Sequence, residues 1–400
     1  MKWLPYLITT AMSVPWLYCL ATGTHPSDHL VAVLTGVAIL GAAFLLSWAC
    51  EVAEEDVPQA LAVSVLALVA VLPEYAVDAT FAWKAAEQPE YASYAIANMT
   101  GGNRLMLGLG WPIVGVLTWV LTRKKEVLIP RDMGAEITIL LLATLYAMVP
   151  VWRGSLTLVD TAVYLCLYVM YLVAAARGDE HESETVGPAL ALVHKPPAVR
   201  RSAVIGLLVF AATVIFLSAE PFAESLVHTG KAYGIDEFLL VQWVAPLASE
   251  APEVVIAILM VWRGASSTGL RALVSSNVNQ WTLLVGTLSV VYSISSGHAA
   301  ALPLDGRQRA EVLLTAAQCL FGAAVLADLR LSLWQAAILG GLFILQPLLS
   351  DAHYYVAAGY LVLFVGIVVF DKRSRSGLIS SFGTFRDLLL NRPRQAVHVE

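Results

Sequence analysis

Leu72-Pro73-Glu74 followed by Trp83-Lys84-Ala85-Ala86, and Ala251-Pro252-Glu253 followed by Trp262-Arg263-Gly264-Ala265, are the two stretches on which the fold turns. In each, a proline precedes a glutamate inside an apolar run. A tryptophan with a basic neighbour stands nine residues after each glutamate. The next apolar runs match too, since Asn103-Arg104 precedes Gly110 by the interval at which Asn279-Gln280 precedes Gly286. The chain therefore carries an internal repeat.

The composition says what solvent the repeat lives in. Of 400 residues, 58% are hydrophobic and only 14% charged, with a mean hydropathy of +0.72. A soluble domain carries about 25% charged residues, so this chain lacks the polar surface to cover itself in water. The same numbers exclude disorder. A net charge of −6 without a basic stripe excludes a nucleic-acid partner. Twelve runs are long and apolar enough to cross a bilayer: 4–22, 29–50, 57–84, 91–122, 134–152, 155–176, 202–228, 236–262, 268–296, 308–328, 332–350 and 353–371. Period-2 alternation is missing, which argues against a barrel. Cys19, Cys50, Cys166 and Cys319 all lie in apolar runs and read as small packing residues.

The two copies stand five runs apart, an odd number, so equivalent segments cross the membrane in opposite directions. The expected fold is an all-α polytopic membrane protein. Its ten-helix core is two inverted five-helix repeats, with one extra helix at each end. The expected units are an N-terminal extra helix at 1–28, a first repeat at 29–176, a linker loop at 177–201, a second repeat at 202–350, an extra C-terminal helix at 351–371 and a basic tail at 372–400. Eighteen of the 24 basic residues fall on the side that holds both termini and the linker, five on the other, and Arg104 within a span. The positive-inside rule places both termini and the linker in the cytoplasm. The first run is read as a span; its signal-peptide reading, with cleavage near Ala21-Thr22-Gly23, would leave the remaining topology unchanged. Compact size and short loops suggest a prokaryotic inner membrane.

An inverted repeat with polar residues in broken helices is the mark of a secondary transporter. Pro73 should free the carbonyl of Val69, Pro252 that of Ala248, and Pro246 should add a further break. Each break lies directly before a carboxylate, Glu74 or Glu253. Carbonyl and carboxylate oxygens are hard ligands for Ca²⁺ and similar cations. Glu250 shares a helix face with Glu253, and Asp78 lies one turn after Glu74. An acid at mid-bilayer costs about 2.5–3.5 kcal/mol on insertion scales, so function is the default account of these residues. The bland alternative is a set of buried ion pairs, such as Arg104 with Asp78. Glu220 and Glu224 with Asp160 form a weaker candidate, a proton path. Glu51, Glu54, Glu55 and Asp56 read as a solvated turn, with electrostatic concentration of cations as the sharper alternative. The acidic stretch Asp179-Glu180-His181-Glu182-Ser183-Glu184 reads as a solvated linker, with a regulatory cation site as the sharper alternative. The basic tail should meet anionic headgroups. No nucleophile elbow, phosphate-binding glycine loop or His-Glu-x-x-His is present, so no enzyme activity is expected.

The two copies resemble the paired alpha repeats of the sodium/calcium exchanger superfamily. That family carries Gly-Thr-Ser-Leu-Pro-Glu in one helix of each repeat and Gly-Ser-Asn-x-x-Asn, ending in Gly, in the next. Here Leu72-Pro73-Glu74, Pro252-Glu253, Ser276-Asn277 and Gly286 stand at the matching positions, and the likeness runs over about residues 29–350. The resemblance implies ten core helices with cation sites between the halves. It makes Glu74 and Glu253 the paired carboxylates, also the metal ligands, and gives Ser249, Thr100 and Ser276 as hydroxyl positions. Gln280 and Arg104 fall at the last motif position. Ala70 and Val71 replace two hydroxyl residues, and Glu250 replaces a serine. Arg104, always protonated, is read as filling the space of one family cation while Glu250 restores negative charge.

The expected function is secondary-active cation antiport, Ca²⁺ against Na⁺ or H⁺, by alternating access around Glu74 and Glu253. Glu250 assists, Ser249, Thr100, Ser276 and Gln280 complete the shell, and Arg104 and Asp78 tune it. No cofactor is expected; the partners are the lipid bilayer and small inorganic cations. The alternatives are a transporter or channel for another ion or solute that uses Arg104, and a non-transporting scaffold. The topology has a direct check. A cytoplasm-specific reporter fused after residue 190 should be active, and one fused after residue 153 silent; the reverse result would invert the assignment.

Overall fold

The computed structural model describes residues 2–57, 67–178, 185–347 and 353–390. The chain is almost entirely helical. An N-terminal helix α1 (Leu4–Thr22) is followed by the first half: α2 (Asp28–Ala53), α3 (Leu72–Lys84), α4 (Tyr91–Leu105), α5 (Trp111–Thr122), α6 (Gly134–Tyr146) and α7 (Leu158–Ala175). The second half repeats the order: α8 (Pro197–Tyr233), α9 (Glu237–Trp262), α10 (Ser266–Asn279), α11 (Val285–Ser296), α12 (Gly306–Leu326) and α13 (Leu333–Leu345). Helices α14 (His353–Phe370) and α15 (Lys372–Leu389) close the chain.

Among the described residues nine helices are long and apolar enough to cross a membrane. Three of the twelve expected runs fall outside that set for separate reasons. Helix α3 begins only after a break at Val71 and α13 ends at Leu345, so each has 13 residues, and residues 58–66 and 348–352 are not described. Helix α10 is long enough with its continuation but carries a polar face, Ser275, Ser276, Asn277, Asn279 and Gln280. The acidic stretch at 179–184 and the tail from 391 also lie outside the described residues.

Two small antiparallel strand pairs express the inverted repeat. Glu126–Leu128 follows α5 and pairs with Arg330–Ser332, which precedes α13. Ser155–Leu156 precedes α7 and pairs with Leu302–Pro303, which follows α11. Exchanging the halves turns one pair into the other, so the membrane ends are stitched in the same way from opposite directions.

The helix breaks differ from the expectation. In the first half the chain does break before Glu74: Val71 (φ −89°, ψ 7°) separates α3 from a short helical turn at Ala67–Ala70. In the second half α9 runs unbroken through both Pro246 and Pro252. A proline removes a donor, but neighbouring helices can keep the rest of a membrane helix intact. The matched irregularity is elsewhere. The third helix of each half passes through one π turn, Met106–Gly110 between α4 and α5 and Gln280–Leu284 between α10 and α11. Such turns concentrate at functional sites.

Helix α4 lies against α9 at very short range. A Cβ on Gly101 would sit 2.1 Å from the carbonyl oxygen of Gln242, which no side chain tolerates. Gly101→Leu should push the two helices apart. The expected cost is about 1–3 kcal/mol or more, read as a lower unfolding temperature in detergent, with Gly101→Ala intermediate. An unchanged melting curve for the leucine variant would contradict this packing.

Candidate cation site

The break before α3 aims Glu74 into the space between the halves, where α9 delivers Glu250 and α10 delivers Gln280 at the start of its π turn. The Gln280 Nε2 donates to Glu250 Oε1 at 2.7 Å. The carboxyl groups of Glu74 and Glu250 converge on the same glycine of α4. Both glutamates are buried, at 4% and 2% exposure. Gly102 of α4 forms the wall. A Cβ there would stand 3.2 Å from Glu250 Oε1, 3.6 Å from Gln280 Nε2 and 3.7 Å from Glu74 Oε1, so a glycine leaves room where three polar groups converge.

Glu253, one turn beyond Glu250, is half-buried and within electrostatic range of both carboxyls. Asp78, one turn beyond Glu74, accepts from Asn98 Nδ2 at 2.8 Å. Tyr75 donates its hydroxyl to Asn279 at 3.1 Å, and Asn277 Nδ2 reaches the Asn103 carbonyl at 3.1 Å. The third helices of the two halves are thus tied together beside the carboxyls.

The hydroxyls singled out by sequence divide. Thr100 and Ser249 spend their protons on backbone carbonyls of their own helices, Ile96 at 2.7 Å and Ala245 at 3.4 Å. Their oxygen lone pairs stay available. The Ser276 hydroxyl is buried and unpartnered. So are Glu74 Oε1, Glu253 Oε2, Asp78 Oδ2, Asn98 Oδ1, Asn277 Oδ1 and Gln280 Oε1. Each of these six is an acceptor oxygen. A buried acceptor without a donor costs about 1–3 kcal/mol, and a cluster of them is what a cation or a proton would satisfy. Among the described residues no three acidic, histidine or cysteine side chains already stand in a metal-binding group. The acids are gathered without being closed into a cage.

Arg104 turns its guanidinium toward α12. Its Nη2 lies 2.8 Å from Glu311 Oε2 on α12. The alternative pairing with Asp78 is likewise replaced, by Asn98. The other candidates stand apart from the site. Glu220 and Glu224 bind Lys84 at 2.8 and 2.5 Å with their side chains 63% and 41% exposed. Asp160 caps the N-terminus of α7 and is held by Arg153, Tyr146 and Thr157. Among the described residues no contact joins them to one another. Asp56 is clamped by Arg200 and Arg201, which hold its carboxyl down to about 2; Glu51 accepts from the Val186 N–H. The acidic turn therefore serves to anchor the chain that enters α8. Sequence reasoning missed Glu311, Gln242 and Asn98. The Ala135-Glu136 and Ala310-Glu311 pairs, at one position in the fourth helix of each half, were the available signal.

Among known proteins, the family described as sodium/calcium exchanger protein matches residues 29–177 and 203–350. The crystal structure of the H⁺/Ca²⁺ exchanger CAX is 42% identical, with a TM-score of 0.93 over 98% of this chain and 99% of that one. Native YfkE, 16% identical, shares the fold at a TM-score of 0.62 over 90% of this chain and 99% of its own. The sodium-calcium exchanger NCX_Mj, 17% identical, does so at 0.53 over 80% and 99%. Among curated protein sequences none matches.

The geometry sets a binding test with Ca²⁺ as probe. Glu74→Gln and Glu250→Gln should each weaken binding by about 2–5 kcal/mol, at least about 30-fold, by calorimetry on the purified protein. Asp160→Asn, outside the site, should bind as wild type does. Equal losses in all three would mean that the effect is one of folding.

Proposed function

The chain belongs to the sodium/calcium exchanger protein family, and from that premise we propose that it exchanges Ca²⁺ for H⁺ across the membrane by alternating access. The observation that carries the choice of counter-ion is the convergence of Glu74 Oε1 and Glu250 Oε1 on Gly102, with Gln280 donating to the latter. Two buried carboxylates that converge on one wall resist being charged together unless something positive lies between them. Among the described residues no lysine or arginine forms an ion pair with either one. In the cation-free state the positive partner is a proton, held between Glu74 and Glu250 while Gln280 fixes the second carboxyl from its other side. A Ca²⁺ that uses these oxygens has to expel that proton. Cation and proton then compete for one set of atoms, which is the condition for coupled exchange.

The 42% identical relative is itself an H⁺/Ca²⁺ exchanger by name, which supports the same reading. Glu253, Asp78 and the oxygens of Thr100, Ser249, Ser276 and Gln280 complete the coordination as the helices close. The inverted halves supply the motion, each exposing the site to one side in turn. Recognition of an anion by Arg104 has its Glu311 contact against it.

The test is uptake of radioactive Ca²⁺ into liposomes. An outward proton gradient should drive uptake, an outward Na⁺ gradient at matched pH should not, and the Glu74→Gln/Glu253→Gln variant should be inactive. Uptake driven by Na⁺ alone would replace the counter-ion. No uptake under either gradient, from folded protein, would remove the Ca²⁺ reading.

A further inference from the structure

Arg104 poses a problem that the proposed exchange does not answer. It sits in α4 two residues after Gly102, the residue against which the site carboxyls pack, and directly before the π turn at Met106–Gly110. A guanidinium is protonated at every accessible pH. In a medium of low dielectric its field reaches well beyond its contacts, and a divalent cation feels it twice as strongly as a proton does. An uncompensated Arg104 would oppose Ca²⁺ binding on the neighbouring face of its own helix.

The compensation comes from the other half of the protein. Glu311 on α12 is fully buried, and its Oε2 lies 2.8 Å from Arg104 Nη2. The N–H is not aligned for a hydrogen bond, so the contact is one of charge. Gln242 of α9 donates to the same Oε2 at 2.9 Å, and His353 Nδ1 of α14 lies 3.3 Å from Oε1. Gln318 on α12 reaches the Arg104 carbonyl at 3.4 Å. Glu311 thus gathers the helix that walls the site, the helix that carries Glu250 and Glu253, and the extra C-terminal helix. The other half has a counterpart, since Glu136 and Asp132 hold Arg271 of α10 at 3.2 and 2.8 Å. There the arginine lies further from the π turn, near the middle of its helix.

We infer that Glu311 is a positioning residue for cation transport: it cancels and holds the Arg104 charge so that a divalent cation can occupy the adjacent carboxylate site. This inference rests on the proposed Ca²⁺ exchange. Its signature is an asymmetry between the two partners of one ion pair. Glu311→Gln leaves a bare positive charge beside the site. Arg104→Gln leaves none.

The experiment measures the KM for Ca²⁺ and the maximal rate of proton-driven uptake in liposomes for wild type, Glu311→Gln, Arg104→Gln and the double variant, with thermal unfolding of each. Glu311→Gln should raise KM at least tenfold while the rate at saturating Ca²⁺ changes less than threefold. Arg104→Gln should have a KM no higher than wild type, and the double variant should return to within threefold of wild type. A pair that only staples helices would give equal damage from either single change, and that result overturns the inference. So would a double variant as impaired as Glu311→Gln. If Glu311→Gln does not fold, the other two variants still decide: a tenfold rise in KM in either one refutes the assignment. Absence of wild-type uptake is a separate result, which removes the exchange reading instead.

Discussion

Four acids, three buried and Glu253 half-buried, lie without a basic partner among the described residues at the contact between two halves of a membrane protein, and the rest of the structure is arranged around that constraint. Each charge at this depth costs several kcal/mol if nothing balances it. The protein supplies no lysine or arginine to Glu74, Asp78, Glu250 or Glu253 among the described residues. It supplies Asn98 to Asp78 and Gln280 to Glu250, neutral donors that orient a carboxyl without cancelling it. In the proposed exchange the balancing charge comes from outside, as a proton or a metal cation, and can leave again. A permanent ion pair would stabilise the site and end its use.

The halves are joined by strand pairs and ion pairs away from the site and by weaker contacts at it. The two strand pairs fasten opposite membrane ends. Arg104 with Glu311, and Arg271 with Glu136, cross-link the third helix of one half to the fourth helix of the other. Buried pairs of this kind add little net stability but are costly to break, so they fix register. At the site itself the ties are single hydrogen bonds between side-chain amides, hydroxyls and carbonyls. Those can be remade in a second arrangement at low cost, which the proposed alternating access requires.

Most of the architecture was legible in the sequence because the bilayer simplifies the code. Apolar runs of sufficient length mark the helices, and an odd number of runs between two related motifs forces inversion. Glu74, Glu250 and Gln280 were legible for a similar reason: a polar residue in such a run has to be explained. The partners of the polar residues were not. Nothing in the local sequence distinguishes Arg104 facing Asp78 from Arg104 facing Glu311, because that depends on which face of α4 meets α12. The same limit applied to Glu220 and Glu224, whose spacing suggests a path but whose helix turns them toward Lys84 and the surface. The continuity of α9 through two prolines was also beyond local reasoning. A proline removes one bond, and the surrounding helices decide whether the helix breaks.

The inverted repeat also shows where the halves have stopped being equivalent. Val71 stands where the second half has Glu250, and Arg104 where it has Gln280. Gln280 faces the carboxyls and donates to one of them, while its counterpart Arg104 turns away to Glu311. A symmetric site with an acid at both positions would add another carboxylate at the same depth. A symmetric site with glutamine at both would leave Glu311 without its cation. The observed combination keeps one extra acid at the site and disposes of one positive charge in a separate pocket. Divergence between the repeats is therefore correlated across space: an arginine can occupy this position of α4 only because α12 carries an acid behind it.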